Sequence, residues 1–161
     1  MSKTIKHLPL WLGAMIFISF TSPALSQQKE FRAGASTANI TPPLGEGIVG
    51  NFGTPPPAEH IHDELHVRTL VLDDGDTRLA FVISDNVGIK REVFDEAKRM
   101  ILEETQMPPE NILMAATHTH SAISAGGVGI KRRGWNYGEP LDEYQQFIAR
   151  RMRSEEHTSE L

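Results

Sequence analysis

The segment from Leu65 to Ser84 reads LHVRTLVLDDGDTRLAFVIS, and it contains the strongest hairpin signal in the chain. Two runs rich in β-branched and aromatic residues, 65–72 and 77–84, flank the polar segment 73–76 (DDGD). Such runs are typical of strands, and an Asp-Gly pair supplies the positive φ that a tight turn needs. The stretch therefore predicts a β-hairpin whose second strand ends at Asp85.

The segments on either side predict further elements. Strands are expected over Phe31 to Thr41 and over the apolar run Ile112 to Ala116. Helical periodicity predicts helices over Lys90 to Thr105 and over Leu141 to Met152, whereas the glycines and prolines of residues 42–63 predict a long loop. A hairpin cannot sit in an all-parallel sheet, so the order β, β-hairpin, α, β, α predicts an α/β layered sandwich with a mixed sheet. The core positions expected in the two helices are Val93, Phe94, Ala97, Met100, Ile101, Leu141, Tyr144, Phe147, Ile148 and Met152.

The composition narrows the class of protein. The chain has 161 residues, 16 Lys and Arg against 21 Asp and Glu, a formal charge of −5 and no cysteine. The mild acidity gives no electrostatic footprint for nucleic acid. The absence of cysteine excludes a disulfide scaffold, a cysteine zinc finger, a thiol nucleophile and a lipoprotein anchor.

The N-terminus has the layout of a secretory signal. Lys3 and Lys6 precede the apolar run Leu8 to Phe20, and small residues precede a cleavage site before Gln27. The run is shorter than the roughly 20 residues that span a bilayer. Residues 1–26 are therefore expected to be a signal peptide, and the mature protein secreted or periplasmic. An uncleaved membrane anchor is the alternative.

The C-terminus ends in a string that does not belong with the domain. Residues 153–161 read RSEEHTSEL, which is one translation of a widely used sequencing-library adapter, AGATCGGAAGAGCACACGTCTGAACTC. We expect these residues to be an adapter artefact, with an ordinary charged helix end as the alternative. On that interpretation residues 27–152 are the N-terminal part of a larger catalytic domain.

The residues that could carry chemistry are concentrated in Thr117-His118-Thr119-His120-Ser121, directly after the buried strand. In extended backbone, residues i and i+2 face the same way, so both imidazoles should project together from the strand end. Two converging neutral imidazoles suit a divalent metal, zinc first. One metal ligand beside one transition-state donor is an equal possibility, and a hydrogen-bonded structural pair is the alternative.

Other patterns fit less well. The metallo-β-lactamase and amidohydrolase signatures would need acidic or histidine residues at 116, 122 and 123, where the chain has alanine, alanine and isoleucine. A second cluster, residues 60–66 (HIHDELH), could bind metal by composition, but a polar loop edge is the favoured interpretation. Asp85 could orient a metal ligand or cap a helix.

Six stretches together point to a known family. They are residues 33–34 (AG), 40–43 (ITPP), 49–53 (VGNFG), 65–72 (LHVRTLVL), 82–85 (VISD) and, most specifically, 111–121 (NILMAATHTHS). In order and spacing, the segment from Ala33 to about Gly127 resembles the N-terminal catalytic domain of the neutral/alkaline (non-lysosomal) ceramidase family.

The resemblance implies a function. In that family a zinc ion, held by two histidines, a glutamate and a tyrosine, activates a water that cleaves the amide bond of an N-acyl sphingoid lipid. Carried over, His118 is the first Zn²⁺ ligand and His120 donates to the oxyanion. The other three ligands would lie downstream of this chain, and Ala122-Ile123 replaces the family's usual Gly-Pro.

We therefore predict an incomplete, zinc-dependent, ceramidase-like amide hydrolase. Its partner would be a lipid-like N-acyl substrate, met by transient contact with a membrane surface, and no obligate protein partner is indicated. Two alternatives are a relative that hydrolyses another N-acyl or ester substrate and an exported, non-catalytic binding domain.

Overall fold

The computed structural model describes residues 29–49, 54–125 and 138–158, with side chains up to residue 153. Its strands are β1 (Arg32–Asn39), β2 (His66–Asp73), β3 (Arg78–Ser84) and β4 (Ile112–Ala116), and its helices are α1 (Arg91–Thr105) and α2 (Glu143–Thr158). A 3₁₀ turn, Pro109–Asn111, leads into β4. The signal segment 1–26, the loop residues 50–53 and most of the glycine-rich stretch 126–138 lie outside the described residues.

The described strands form one sheet in the order β1-β2-β3-β4. The pairs β1–β2 and β2–β3 are antiparallel, whereas β3–β4 is parallel. The predicted hairpin is confirmed. It closes on the pair Asp73↔Arg78, and Gly75 takes the positive φ of 88°. The mixed α/β class inferred from the sequence is therefore confirmed.

The turn is fixed by the carboxyl group of Asp73. One oxygen accepts the N–H of Gly75 at 2.7 Å, and the other accepts Arg32 at 3.1 Å and Arg78 at 3.4 Å. The Gly75 N–H bond, followed by the two arginines, holds the pKa of Asp73 below its usual value against the effect of burial. The turn thus ties β1 to both strands of the hairpin.

The core lies between the sheet and the helices. α2 packs against β1 and β2, and α1 packs against α2. The helix α1 ends at Gln106, whose φ of 61° is left-handed and whose N–H donates to the Leu102 carbonyl at 3.1 Å. The predicted apolar faces of both helices do line the core. The fully buried residues include Ile40, Val67, Val82, Val93, Ala97, Ile101, Ile148, Ala149 and Met152.

The opposite face of the sheet is apolar and open. Leu70, Leu79 and Leu113 are 41%, 39% and 52% exposed. Leu70 pairs with Phe81, which in turn pairs with Leu113, so a continuous apolar row crosses three strands. In the described part of the chain, no helix is long and apolar enough to cross a membrane.

Three element boundaries differ from expectation by two residues or more. β1 ends at Asn39 rather than Thr41, because the Asn39 side chain accepts the N–H of Thr41 at 2.7 Å and turns the chain. α2 begins at Glu143 rather than Leu141, after Asp142, whose carboxyl accepts the N–H of Gln145 at 2.8 Å. α2 also continues past Met152 to Thr158, so the boundary predicted there is not marked by a break in the helix.

Candidate active site

The histidine segment lies where two parallel strands end. β3 and β4 are neighbours, so the residues that follow them meet at one edge of the sheet. Thr117 N–H donates to the Ser84 carbonyl at 2.9 Å, and His118 N–H donates to the Asn86 carbonyl at 3.0 Å. Ligands of α/β sheets characteristically bind outside the carboxyl ends of the strands. The topology therefore places both histidines where such a site is expected.

The two imidazoles converge, but not for the reason predicted. The prediction of extended backbone through His118 is wrong, because its φ is 60°. This left-handed residue interrupts the extended backbone just after β4, while its N–H stays bonded to the Asn86 carbonyl. The side chains nevertheless meet: His118 Nε2 and His120 Nε2 are 3.2 Å apart, with ring centroids at 4.9 Å and planes at 74°.

The surrounding backbone determines which ring nitrogen of neutral His118 carries the hydrogen. Its Nδ1 lies 2.6 Å from the carbonyl oxygen of Val87. A carbonyl oxygen can only accept, so Nδ1 carries the proton and Nε2 of the neutral ring has a free lone pair. This is the state that a metal-ligating imidazole needs, with its second nitrogen anchored to a carbonyl.

The partner ring has the complementary protonation. Because His118 Nε2 is an acceptor, His120 Nε2 must carry the hydrogen of the bond that joins them. His120 therefore presents an N–H donor at the exposed edge of the sheet. Beside it, the hydroxyls of Thr119 and Ser121 are bonded to each other at 3.1 Å.

The donor set fits part of a zinc site. Two nitrogens bound at 2.0–2.1 Å to a tetrahedral ion lie about 3.3 Å apart, close to the 3.2 Å separation of the two Nε2 atoms. The geometry thus permits His118 as sole ligand or both histidines as ligands. Within the described residues, no group of three or more His, Cys, Asp or Glu is placed to hold a metal.

A buried polar network behind the histidines was not foreseen from the sequence. Asn86 is fully buried, and its amide nitrogen lies 3.4 Å from both the Ile123 carbonyl and the Tyr144 hydroxyl. Tyr144 in turn donates to the Ile40 carbonyl at 2.9 Å. Burial raises the pKa of Tyr144, so its hydroxyl stays protonated. The one sequence signal was a polar pair, Asp85-Asn86, at the end of an apolar strand.

The second histidine cluster does not converge. His62 Nδ1 contacts the Asp63 carboxyl at 2.8 Å, with both side chains nearly 90% exposed, and His66 Nδ1 contacts the Glu64 carbonyl at 3.1 Å. The cluster borders a cleft of about 840 Å³, whose other wall includes Thr119, Ser121 and Ile123. These contacts are those of a polar loop edge.

Asp85 performs neither of its two expected roles in the described structure. One carboxyl oxygen accepts the His66 N–H at 3.1 Å and the Arg68 guanidinium at 2.7 Å. The N-cap of α1 is Lys90, which makes no side-chain capping bond. Asp85 instead fastens the start of β2 to the end of β3.

Together, the mixed sheet and the His-x-His pair at its carboxyl edge define an α/β protein with an imidazole site. No protein-family model matches the sequence. The fold is similar to that of the neutral ceramidase from Pseudomonas aeruginosa, with a TM-score of 0.63 and 23% identity. It is also similar to a structure described as ceramidase complexed with C2, with a TM-score of 0.57 and 24% identity.

Each comparison covers 81% of this chain and 21% of the solved chain. The chain therefore has the fold of one part of a ceramidase and spans about a fifth of the length of either solved chain. The resemblance drawn from the sequence is confirmed at the level of the fold.

Proposed function

We propose that the chain is the N-terminal part of a zinc-dependent hydrolase that cleaves the amide bond of ceramide-like N-acyl sphingoid lipids. The observation that carries the proposal is the locked imidazole of His118. Its Nδ1 is held 2.6 Å from the Val87 carbonyl, which leaves Nε2 of the neutral ring unprotonated at the sheet edge. The similarity of the fold to two ceramidase structures supports the proposed substrate class.

The two histidines would divide the work. His118 would hold the metal through Nε2, and His120 would donate its Nε2 hydrogen to the oxyanion that develops on the amide carbonyl. A bound zinc ion supplies a water of pKa about 7 and polarises the carbonyl. A fixed N–H donor adds stabilisation where negative charge develops.

Two observations support further chain beyond residue 152. A catalytic zinc site needs at least three protein ligands, whereas His118 is the one proposed ligand among the described residues, which hold no group of three or more His, Cys, Asp or Glu placed to bind a metal. The apolar row Leu70–Phe81–Leu113 is also a surface of the kind that another layer covers. We infer that downstream chain supplies both the missing ligands and the missing layer, and that residues 27–152 alone are inactive.

The full-length protein is expected to hydrolyse a fluorescent N-acyl sphingosine in detergent micelles. Dialysis against a chelator should abolish hydrolysis, because the water would lose its activating ion, and stoichiometric zinc should restore it. The measurement is release of the labelled fatty acid. Hydrolysis of an N-acyl amino acid or a fatty ester in place of the ceramide would favour the relative with another substrate. Zinc-free protein with none of these activities would favour a binding domain.

Export is expected to remove the first 26 residues. Full-length protein expressed in a Gram-negative host should appear in the periplasm or medium, with its N-terminus within a few residues of Gln27. Mass spectrometry of the purified protein checks this. Recovery of intact Met1 in the membrane fraction would support an anchor instead.

The adapter interpretation of residues 153–161 is tested on DNA. Sequencing the locus from independent genomic DNA should show the frame leaving RSEEHTSEL after Met152 and continuing for several hundred codons. A match to RSEEHTSEL in that DNA would refute the interpretation and would remove this ground for a longer protein.

A further inference from the structure

The strongest feature that the proposed mechanism does not use is the buried side chain of Asn86. It is 0% exposed, and its described side-chain hydrogen bonds are to Ile123 and Tyr144 rather than to either histidine. Its amide nitrogen is 3.4 Å from the Ile123 carbonyl on one side and 3.4 Å from the Tyr144 hydroxyl on the other. Since a carbonyl oxygen only accepts, the contact with Ile123 fixes which way the amide points.

Asn86 connects three separate segments at the site. Its main-chain carbonyl accepts the His118 N–H at 3.0 Å, just after β4. Its side chain reaches Ile123, at the far end of the histidine loop, and Tyr144 on α2. The loop is thus held at both ends by one residue, and that residue is joined to the core helix.

The next residue along, Val87, gives this connection a chemical consequence. The Val87 carbonyl receives the Nδ1 hydrogen of His118 at 2.6 Å. The Val87 N–H donates to the same Ile123 carbonyl, at 3.2 Å, that the Asn86 amide approaches. The Val87 carbonyl belongs to the next peptide unit along the chain, so its direction depends on how firmly the adjoining 86–87 unit is held against Ile123.

We propose that Asn86 is a positioning residue: its side-chain amide holds the Val87 carbonyl in place and so keeps His118 in the tautomer with Nδ1 protonated and Nε2 free. The buried environment adds weight to this role. The other amide atom of Asn86, Oδ1, has no hydrogen-bond partner among the described residues. Burying it costs free energy that a purely structural apolar side chain would not. The proposal rests on the proposed function in one respect only, namely that the unprotonated Nε2 serves to bind zinc.

The test is the tautomer of His118 in the full-length protein, measured after a chelator has removed metal and without substrate. Imidazole ¹⁵N shifts in histidine-labelled protein, in mildly alkaline buffer, distinguish protonated from bare ring nitrogens. The His118 signals are assigned by their loss in His118→Gln. In the native chain we expect protonated Nδ1 and bare Nε2. In Asn86→Ala the two shifts should converge, because the tautomer ratio falls by roughly two- to tenfold when a hydrogen bond of ordinary strength is loosened.

Two further variants separate positioning from packing. Ser84→Ala is the matched control, because the Ser84 hydroxyl is buried at the same strand end and has no described partner. This variant should leave the His118 shifts unchanged. Tyr144→Phe removes one of the two partners of the Asn86 amide, so it should move the shifts in the same direction as Asn86→Ala but less far. It keeps the aromatic ring and tests the proposal even where Asn86→Ala does not fold.

The proposal would be overturned if the His118 shifts were unchanged in Asn86→Ala. If Asn86→Ala does not fold, unchanged shifts in Tyr144→Phe would overturn it. An equal change of the shifts in Ser84→Ala would also overturn it. None of these outcomes bears on whether the full-length protein hydrolyses ceramide. Failure of the hydrolase assay would likewise leave the tautomer result intact.

Discussion

His118→Ala in the full-length protein is expected to remove both zinc and activity. The substitution deletes the imidazole whose Nδ1 is bonded to the Val87 carbonyl and whose Nε2 is the proposed zinc ligand. A catalytic zinc site that loses one of its few protein ligands cannot retain the ion at the same affinity. Purified variant protein should therefore contain far less than one zinc per chain and show no ceramide hydrolysis above background.

A purely structural role for His118 predicts the opposite pattern, a lower thermal midpoint with unchanged zinc content. We expect the midpoint to change little instead, because the His118 side chain is exposed. Metal analysis and a thermal melt on the same sample separate the two effects. A matched control is His62→Ala, in the exposed loop cluster that does not converge. This control should keep full zinc content, and stoichiometric zinc in His118→Ala would disprove the ligand assignment.

His120→Ala is expected to retain zinc and lose turnover. His120 Nε2 lies 3.2 Å from His118 Nε2, and because the neutral His118 ring accepts there, we infer that His120 is a donor rather than a ligand. Removing one oxyanion donor typically lowers kcat by about 10²–10³. An interaction made mainly in the transition state contributes little to substrate binding, so KM should change much less.

The outcome also decides between the two geometries that the 3.2 Å separation permits. If both histidines ligate the ion, His120→Ala should lose zinc as His118→Ala does. Zinc content, kcat and KM measured on one preparation distinguish the cases. Loss of zinc from His120→Ala would contradict the donor role, and an unchanged kcat would exclude both roles.

Much of the fold could be predicted because local signals agreed with tertiary packing. The hairpin followed from Asp-Gly between two β-rich runs, and Gly75 does take positive φ. The helix face around Val93, Ala97 and Ile101 followed from apolar periodicity. Single side-chain bonds at Asn39 and Asp142 set the end of β1 and the start of α2. Such bonds are weak signals in a sequence, so these two boundaries were not predicted.

The site could be predicted only in part. The pattern His-x-His indicated that two imidazoles would meet, but extended backbone was the wrong reason, since His118 is left-handed. Its conformation is set by residues 86 and 87, more than 30 positions earlier in the chain. No local pattern records a contact across two parallel strand ends. The role of Asn86 depends on Ile123 and Tyr144, which only the folded chain brings together.

The most direct test of the proposal that His118 holds a zinc ion is to locate the metal. Diffraction from crystals of the full-length protein, recorded on both sides of the zinc absorption edge, identifies each zinc by its anomalous signal. If His118 is a zinc ligand, we expect one zinc ion at 2.0–2.1 Å from His118 Nε2, with Nδ1 still bonded to the Val87 carbonyl. A zinc ion bound elsewhere, or a His118 whose Nε2 contacts no metal in an active, zinc-loaded enzyme, would contradict it.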